Sequence, residues 1–274
     1  MNVLMSKTLV TRLQLVILSL AMLGFASGCA TGVGGKATNT AANVLLPAAE
    51  EEKLGDQMRG QVRAEFTILD NPEIQGYIRE LGAKIVRASG NQPRGISYTF
   101  DVIDGNEINA FTTPGGDIYI YTGLIKAAEN EAELIGVIAH EVAHVTNRHI
   151  AEKLVASYGL QTVLDMALGQ NAGTLTQLGA TLGAQGYLLK YGRDQESEAD
   201  RDGLNYMVRA GYDPNGFVTF FKKLEARGGG GIEMLSSHPL PKSRIDQARA
   251  IIRKMGNTPD NLGTARLQEM KKKL

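Results

Sequence analysis

His140 and His144 stand four residues apart with Glu141 beside the first, in the run His140-Glu141-Val142-Ala143-His144. Leu134, Ile135, Ile138 and Val142 give this stretch an apolar helical face. On a helix, the spacing stacks the two imidazoles one turn apart, so their ring nitrogens can converge on one cation. Two neutral imidazoles suit zinc and leave its charge largely intact to acidify water. Glu141 falls on the neighbouring face, where a carboxylate can take a proton from that water. HExxH fixes only three positions, but the chain has four histidines and this run holds two of them. The competing reading is a pair of hydrogen-bonded core histidines beside a salt-bridging glutamate.

A catalytic zinc needs a third protein ligand and one open position. His149 lies nine residues past His140 and, on a continuous helix, points off the ligand face, so it is read as a non-ligand. The acidic turn Glu196-Ser197-Glu198-Ala199-Asp200 is the better source. Glu196 and Asp200 share a helix face, whereas Glu198 points nearly the opposite way. One of the pair can bind the ion while the other hydrogen-bonds a ligand histidine from behind. Spacing alone does not decide which does which. His238-Pro239, taken alone, is a rigid loop with an exposed histidine.

The elements that must position these groups follow from periodicity. Helical patterns run from Pro47 to about Phe66 and over roughly 73–89, where Ile74, Ile78, Leu81 and Ile85 share a face. Ile96, Tyr98, Phe100 and Val102 then alternate with polar residues, as in a half-buried strand. Asp104-Gly105-Asn106 is a hairpin-grade turn into a strand from Ile108 to Thr112, and Asp117 to Thr122 reads as a third strand. The expectation is α+β: a mainly helical domain with a small antiparallel sheet just before the active helix at about 130–149. Residues 166–189 carry no charge yet are too rich in Gln, Asn, Thr and Gly for a membrane span, which leaves a shielded helical hairpin or a lid. Further helices are expected to about Ala210 from Arg193, over 215–226 and over 242–256. Residues 257–274 are expected to be no more than a helical or frayed tail.

Composition narrows the function classes. Forty-three per cent of 274 residues are hydrophobic, enough for a sizeable core, and Lys plus Arg equals Asp plus Glu at 29 each. No basic surface for nucleic acid is implied. The first 28 residues read as a signal peptide: Lys7 and Arg12 precede an apolar stretch from Leu13 to Ala26, followed by Ser27, Gly28 and Cys29. This is similar to a bacterial lipobox, with Ala26 where Leu is commoner. Cleavage before Cys29 would leave it lipidated on its thiol and amine, the two signals that stable anchoring needs. Ala30 in place of Asp favours the outer membrane if the source is Gram-negative. The alternatives are a soluble secreted product and an uncleaved anchor. Residues 29–46 are small and polar, a flexible tether.

Taken together, Asn109-Ala110-Phe111, Thr113-Pro114-Gly115-Gly116, Tyr121-Thr122-Gly123-Leu124, the HExxH run, Glu196 to Asp200, Ser237-His238-Pro239 and Arg244 resemble the M48 family of metallopeptidases. That group includes the CAAX prenyl proteases, the bacterial membrane-embedded heat-shock proteases and periplasmic lipoprotein relatives. The resemblance runs from about Glu50 to Asp246 and implies a gluzincin-like domain over 47–256. It implies Glu196 as third zinc ligand and Asp200 as supporting carboxylate. It also places His238 near the metal, either in the open position at rest or facing the substrate oxyanion, with Arg244 shaping the cleft. The strand around Asn109, Ala110 and Phe111 is then expected to pair with an extended polypeptide substrate. The expected activity is a zinc endopeptidase acting on misfolded or unassembled envelope proteins from the periplasmic side of the outer membrane. The alternative is a zinc-bound chaperone or assembly factor working with the envelope assembly machinery.

Overall fold

The computed structural model of the protein describes residues 46–93, 95–185, 189–227, 233–239 and 242–274. The signal segment, Cys29 and nearly all of the tether lie outside the described residues.

Helix α1 (Ala48–Glu65) carries Glu50 and Glu51 in its first turn and buries Leu54, Met58 and Val62 along one face. Helix α2 (Pro72–Ser89) begins as the sequence implies. Asn71 Oδ1 accepts from Ile74 N, Pro72 needs no amide partner at the first position, and Gly90 ends the helix at φ 65°.

Three strands follow: β1 (Thr99–Ile103), β2 (Ala110–Thr112) and β3 (Asp117–Tyr121), in the order β1-β3-β2. β3 is parallel to β1 and antiparallel to β2, so the sheet is mixed, where a purely antiparallel one was expected. The Asp104-Gly105-Asn106 turn does not fold β2 back onto β1. Gly105 is instead tied to the residues just past β3: its carbonyl accepts from Thr122 Oγ1 at 2.8 Å and from Gly123 N at 2.8 Å. The chain is thereby carried across the end of β3, which takes the central slot. Local turn chemistry signals a reversal but not which strand fills the gap.

The sheet separates two apolar clusters. Ile118 and Ile120 of β3 join the larger one, while Tyr119 and Tyr121 join the smaller, as alternating side chains must. After a short α3 (Thr122–Ala127), helix α4 (Glu131–Thr146) runs through the larger cluster with every residue buried. Helices α8 (Arg193–Arg209), α9 (Asn215–Ala226) and α11 (Lys242–Met255), together with α2, contribute to that cluster. The smaller cluster joins α1 to α5 (His149–Tyr158), α6 (Leu160–Ala167) and α7 (Ala172–Gln185). The uncharged stretch is thus packed helices, with Leu175, Leu178 and Leu182 buried. The C-terminal segment is also packed: α12 (Thr264–Lys271) buries Leu267 fully, and Leu262 O accepts from Ala132 N at the start of α4. The fold is mainly helical α+β, and no described helix is long and apolar enough to cross a membrane.

At the start of α9, Gly216 lies directly on α4. A Cβ there would sit 2.4 Å from the backbone carbon of Ala132. Gly216→Ala must therefore push two backbones apart and is expected to destabilise the protein by about 1–3 kcal/mol. Urea unfolding with an unchanged slope would show it.

Candidate metal centre

α8 approaches α4 closely because residue 203 is glycine. A Cβ there would meet the backbone of Ala139 and His140 at 3.2 Å. One and two turns before that contact, Asp200 and Glu196 face α4 on one side of α8, as their spacing predicts. The short helix α10 (Glu233–Ser237) then delivers His238, whose amide bonds to Met234 O at 2.9 Å. His238 is buried, not the exposed loop residue that its sequence setting suggests.

Four side chains converge there: His140, His144, Glu196 and His238 offer nitrogen or oxygen atoms all within 4.8 Å of one another. His140 Nε2 lies 3.0 Å from His144 Nε2 and 3.2 Å from His238 Nδ1. Glu196 Oε2 is 3.5 Å from His140 Nε2, and Glu196 Oε1 is 3.5 Å from His144 Nε2 and 2.9 Å from His238 Nδ1. A tetrahedral ion with ligands at about 2.0–2.1 Å separates its donors by about 3.3 Å. The observed spacings scatter around that edge length, so the donor set fits such a cation. Among the described residues this is the one group of its kind.

The surroundings complete the chemistry. Asp200 Oδ1 lies 3.0 Å from His140 Nδ1, a close charge contact whose angle is too bent for a good hydrogen bond. Arg244 Nε and Nη2 donate to Asp200 at 2.8 and 2.7 Å, Arg244 Nη1 donates to Pro239 O at 2.9 Å, and the guanidinium also contacts Glu196. Glu141 is fully buried and neither carboxylate oxygen has a hydrogen-bond partner; Oε1 lies 3.4 Å from His238 Nε2 without forming one. The Tyr191 ring stacks on His144 with centroids 3.9 Å apart. Nothing in the sequence marked this tyrosine. Its place depends on the bond from Tyr191 N to Ser237 O, a tertiary contact.

The charges follow from these contacts. Burial raises the Glu141 pKa, only partly offset by the neighbouring histidines. Burial drives the His144 pKa well below its ordinary value, leaving a neutral ring suited to ligation. Burial works against the charges of Glu196 and Asp200 too. The three histidines nevertheless hold Glu196 well down, and Arg244 with His140 holds Asp200 down. Burial also opposes a charged His140, but Asp200 and Glu196 outweigh it and raise its pKa to about 9. The metal-free ring therefore carries a proton near neutral pH that a ligating ring cannot keep. Metal uptake near neutral pH is expected to release about one proton, and apparent affinity to climb about tenfold per pH unit until pH nears 9. Calorimetry in buffers of different ionisation enthalpy measures that release.

Two openings border the centre. A cleft of about 900 Å³ is lined by Tyr191, Arg193, Glu196, Leu235, Arg244 and Gln247. A narrow crevice is lined by Phe111 and Thr112 of β2 together with Tyr191, Ser237 and His238. Ala110 and Phe111 thus lie on edge strand β2 and Asn109 immediately before it, all three buried.

An HExxH helix backed by an acidic helix, with a small sheet alongside, defines a metallopeptidase of the zincin kind. The protein belongs to peptidase family M48, which residues 72–252 match. It is 34% identical over 223 residues to the beta-barrel assembly-enhancing protease of Yersinia pestis, a match covering 77% of this chain and 45% of that one. To its Escherichia coli K12 namesake it is 31% identical over 222 residues, with the same coverage. The mitochondrial metalloendopeptidase OMA1 of Arabidopsis thaliana is 32% identical over 223 residues, which cover 81% of this chain and 44% of the relative. The chain thus spans under half the length of each of these relatives.

Proposed function

We propose that this chain is a zinc-dependent endopeptidase. The observation that carries the reading is the buried convergence of His140, His144 and Glu196 beside a carboxylate, Glu141, that no hydrogen bond engages. Zinc, when bound by those three residues, supplies the Lewis acidity that acidifies water and polarises a peptide carbonyl. Glu141 takes the proton of the attacking water on a carboxylate oxygen and returns it to the leaving amine. Its raised pKa suits a group that must hold that proton between the two steps. Asp200 holds His140 in place, and Arg244 holds Asp200.

β2 is the edge that receives an extended substrate strand. The opposite edge of the sheet is already occupied: Leu69 N bonds Val102 O, Gln75 accepts from Val102 N, and Arg79 donates to Phe100 O. His238 supplies a fourth donor where a catalytic site keeps an open position, so the protein rests closed. His238→Ala is therefore expected to raise hydrolysis of an unfolded polypeptide severalfold while weakening metal affinity. A fall in hydrolysis at full metal loading would instead make His238 an oxyanion donor.

We place the enzyme on the periplasmic side of the outer membrane, tethered through lipidated Cys29, with misfolded or unassembled envelope proteins as substrates. The names of the assembly-enhancing relatives are consistent with that setting. The convergence of four donors, which leaves no open position, favours the second reading, a metal-bound assembly factor. Incubating the zinc-loaded chain and its His238→Ala variant with an unfolded protein, and sequencing new N-termini, tests the proposal. No cleavage by either would sink it. Rescue of a deletion strain by Glu141→Gln would favour the assembly factor.

A further inference from the structure

Each ligand histidine must keep one ring nitrogen bare for the ion and present the other, protonated, to some acceptor. For His140 the facing group is Asp200, whose Oδ1 lies 3.0 Å from Nδ1. His144 has no carboxylate behind it. Its Nδ1 lies 2.9 Å from Nδ1 of His149, which is itself buried, and His149 Nε2 lies 3.3 Å from Glu198 Oε2. Glu198 is anchored in turn by Arg201 Nη2 at 3.1 Å.

This arrangement exists because α4 does not continue. On an unbroken helix, residue 149 would lie about 140° around the axis from His144. Arg148 breaks the helix by adopting the left-handed region at φ 56°, rare for a residue other than glycine. It is held there by tertiary contacts: Nε and Nη2 donate to the buried Glu51 at 2.7 and 2.5 Å, and Nη2 donates to Leu46 O at 2.6 Å. The redirected chain turns the His149 ring back onto His144. Glu198, pointing away from Glu196 on α8, meets it from the far side.

Once His144 Nε2 is committed to an ion, one assignment of protons satisfies both of these contacts. With His144 Nε2 bare toward the ion, its Nδ1–H donates to His149 Nδ1, and His149 Nε2–H donates to Glu198. We infer that His149 and Glu198 are positioning residues of the metal centre, which fix the tautomer and orientation of His144 through a relayed hydrogen bond. The inference deepens the zinc-site reading and rests on it. Removing such outer supports costs about 10–100-fold in metal affinity.

The test uses the full chain, zinc-loaded and labelled with ¹⁵N-histidine, where only four rings contribute signals. Long-range ¹H–¹⁵N correlation is expected to show His149 protonated on Nε2 and His144 on Nδ1. A proton on His149 Nδ1 would overturn the relay, and this measurement needs no variant to fold. Zinc affinity by chelator competition supplies the second arm. His149→Phe is expected to bind about 10–100-fold more weakly. His149→Asn, whose amide oxygen replaces the Nδ1 acceptor, should keep most of the affinity, and Glu198→Ala should lose a smaller factor than His149→Phe. Affinity of a folded His149→Phe within twofold of wild type would overturn the inference. Failure of the wild-type chain to take up one equivalent of zinc would instead count against the metal-site reading itself.

Discussion

Glu141→Gln is expected to lower hydrolysis of an unfolded polypeptide by about 10²–10⁴-fold while leaving zinc uptake intact. The substitution keeps the shape of a fully buried side chain whose oxygens have no hydrogen-bond partner, so little packing is disturbed. It removes only the capacity to accept a proton. A variant retaining a tenth or more of the wild-type rate, at equal zinc content, would exclude Glu141 as the base. The same change carries a stability signature. Burial raises the folded-state pKa of Glu141 above its ordinary 4.5, so the folded protein binds that proton more tightly than the unfolded chain. Stability therefore falls as pH rises above 4.5, where the unfolded group ionises freely and the folded one resists. The amide has no such cost. Metal-free Glu141→Gln should melt above metal-free wild type at neutral pH, and the gap should close as pH falls into the carboxylate range.

What the sequence discloses about this centre divides along a physical line. α2 and α8 are legible because each buries one repeating face, α4 because it is apolar nearly throughout, and all three because four-residue spacing has one geometric meaning on a helix. The pairs His140 with His144, and Glu196 with Asp200, inherit that legibility. The strand order does not, since β3 is inserted between β1 and β2 by long-range pairing that no turn residue encodes. His149 shows the limit most clearly. No glycine or proline announces the break at Arg148; the left-handed residue is stabilised by Glu51, 97 positions earlier. A reading that extends α4 through 149 therefore turns that ring away from a neighbour it touches. His238 and Tyr191 meet the centre through contacts of α10, which begins beyond a glycine run, and the resemblance alone foretold the first of them. The C-terminal helix is similarly inconspicuous, because Leu267 is its one buried residue and its other ties include hydrogen bonds from Arg266, Gln268 and Lys271 to distant parts of the chain.

Arg244→Ala is expected to destabilise the protein by about 3–5 kcal/mol, the cost of breaking a buried ion pair by removing one partner. Arg244 is 3% exposed and faces two buried carboxylates, donating to both oxygens of Asp200 and touching Glu196. Its loss takes the guanidinium from both, leaving Asp200 with His140 alone and Glu196 with the three histidines. Arg244→Lys restores a charge without the two-pronged fork and should recover only part of the stability. The pH dependence has a definite sign. In wild type the Asp200 pKa lies below its ordinary 3.8, so the pairing adds stability above 3.8 that is lost as pH falls through the folded value. Without Arg244, burial pushes that pKa the other way, and the deficit should grow as pH rises from the acid range toward neutrality. Urea unfolding of the variant, metal-free and zinc-loaded, then separates the two carboxylates. Zinc neutralises Glu196 but leaves Asp200 without its guanidinium. A deficit that zinc removes belongs to Glu196; a deficit that survives zinc belongs to Asp200, and His140 should then lose its orientation and bind metal more weakly. A total loss below about 1 kcal/mol in both states would mean that Arg244 is not what holds the acidic pair beneath the metal centre.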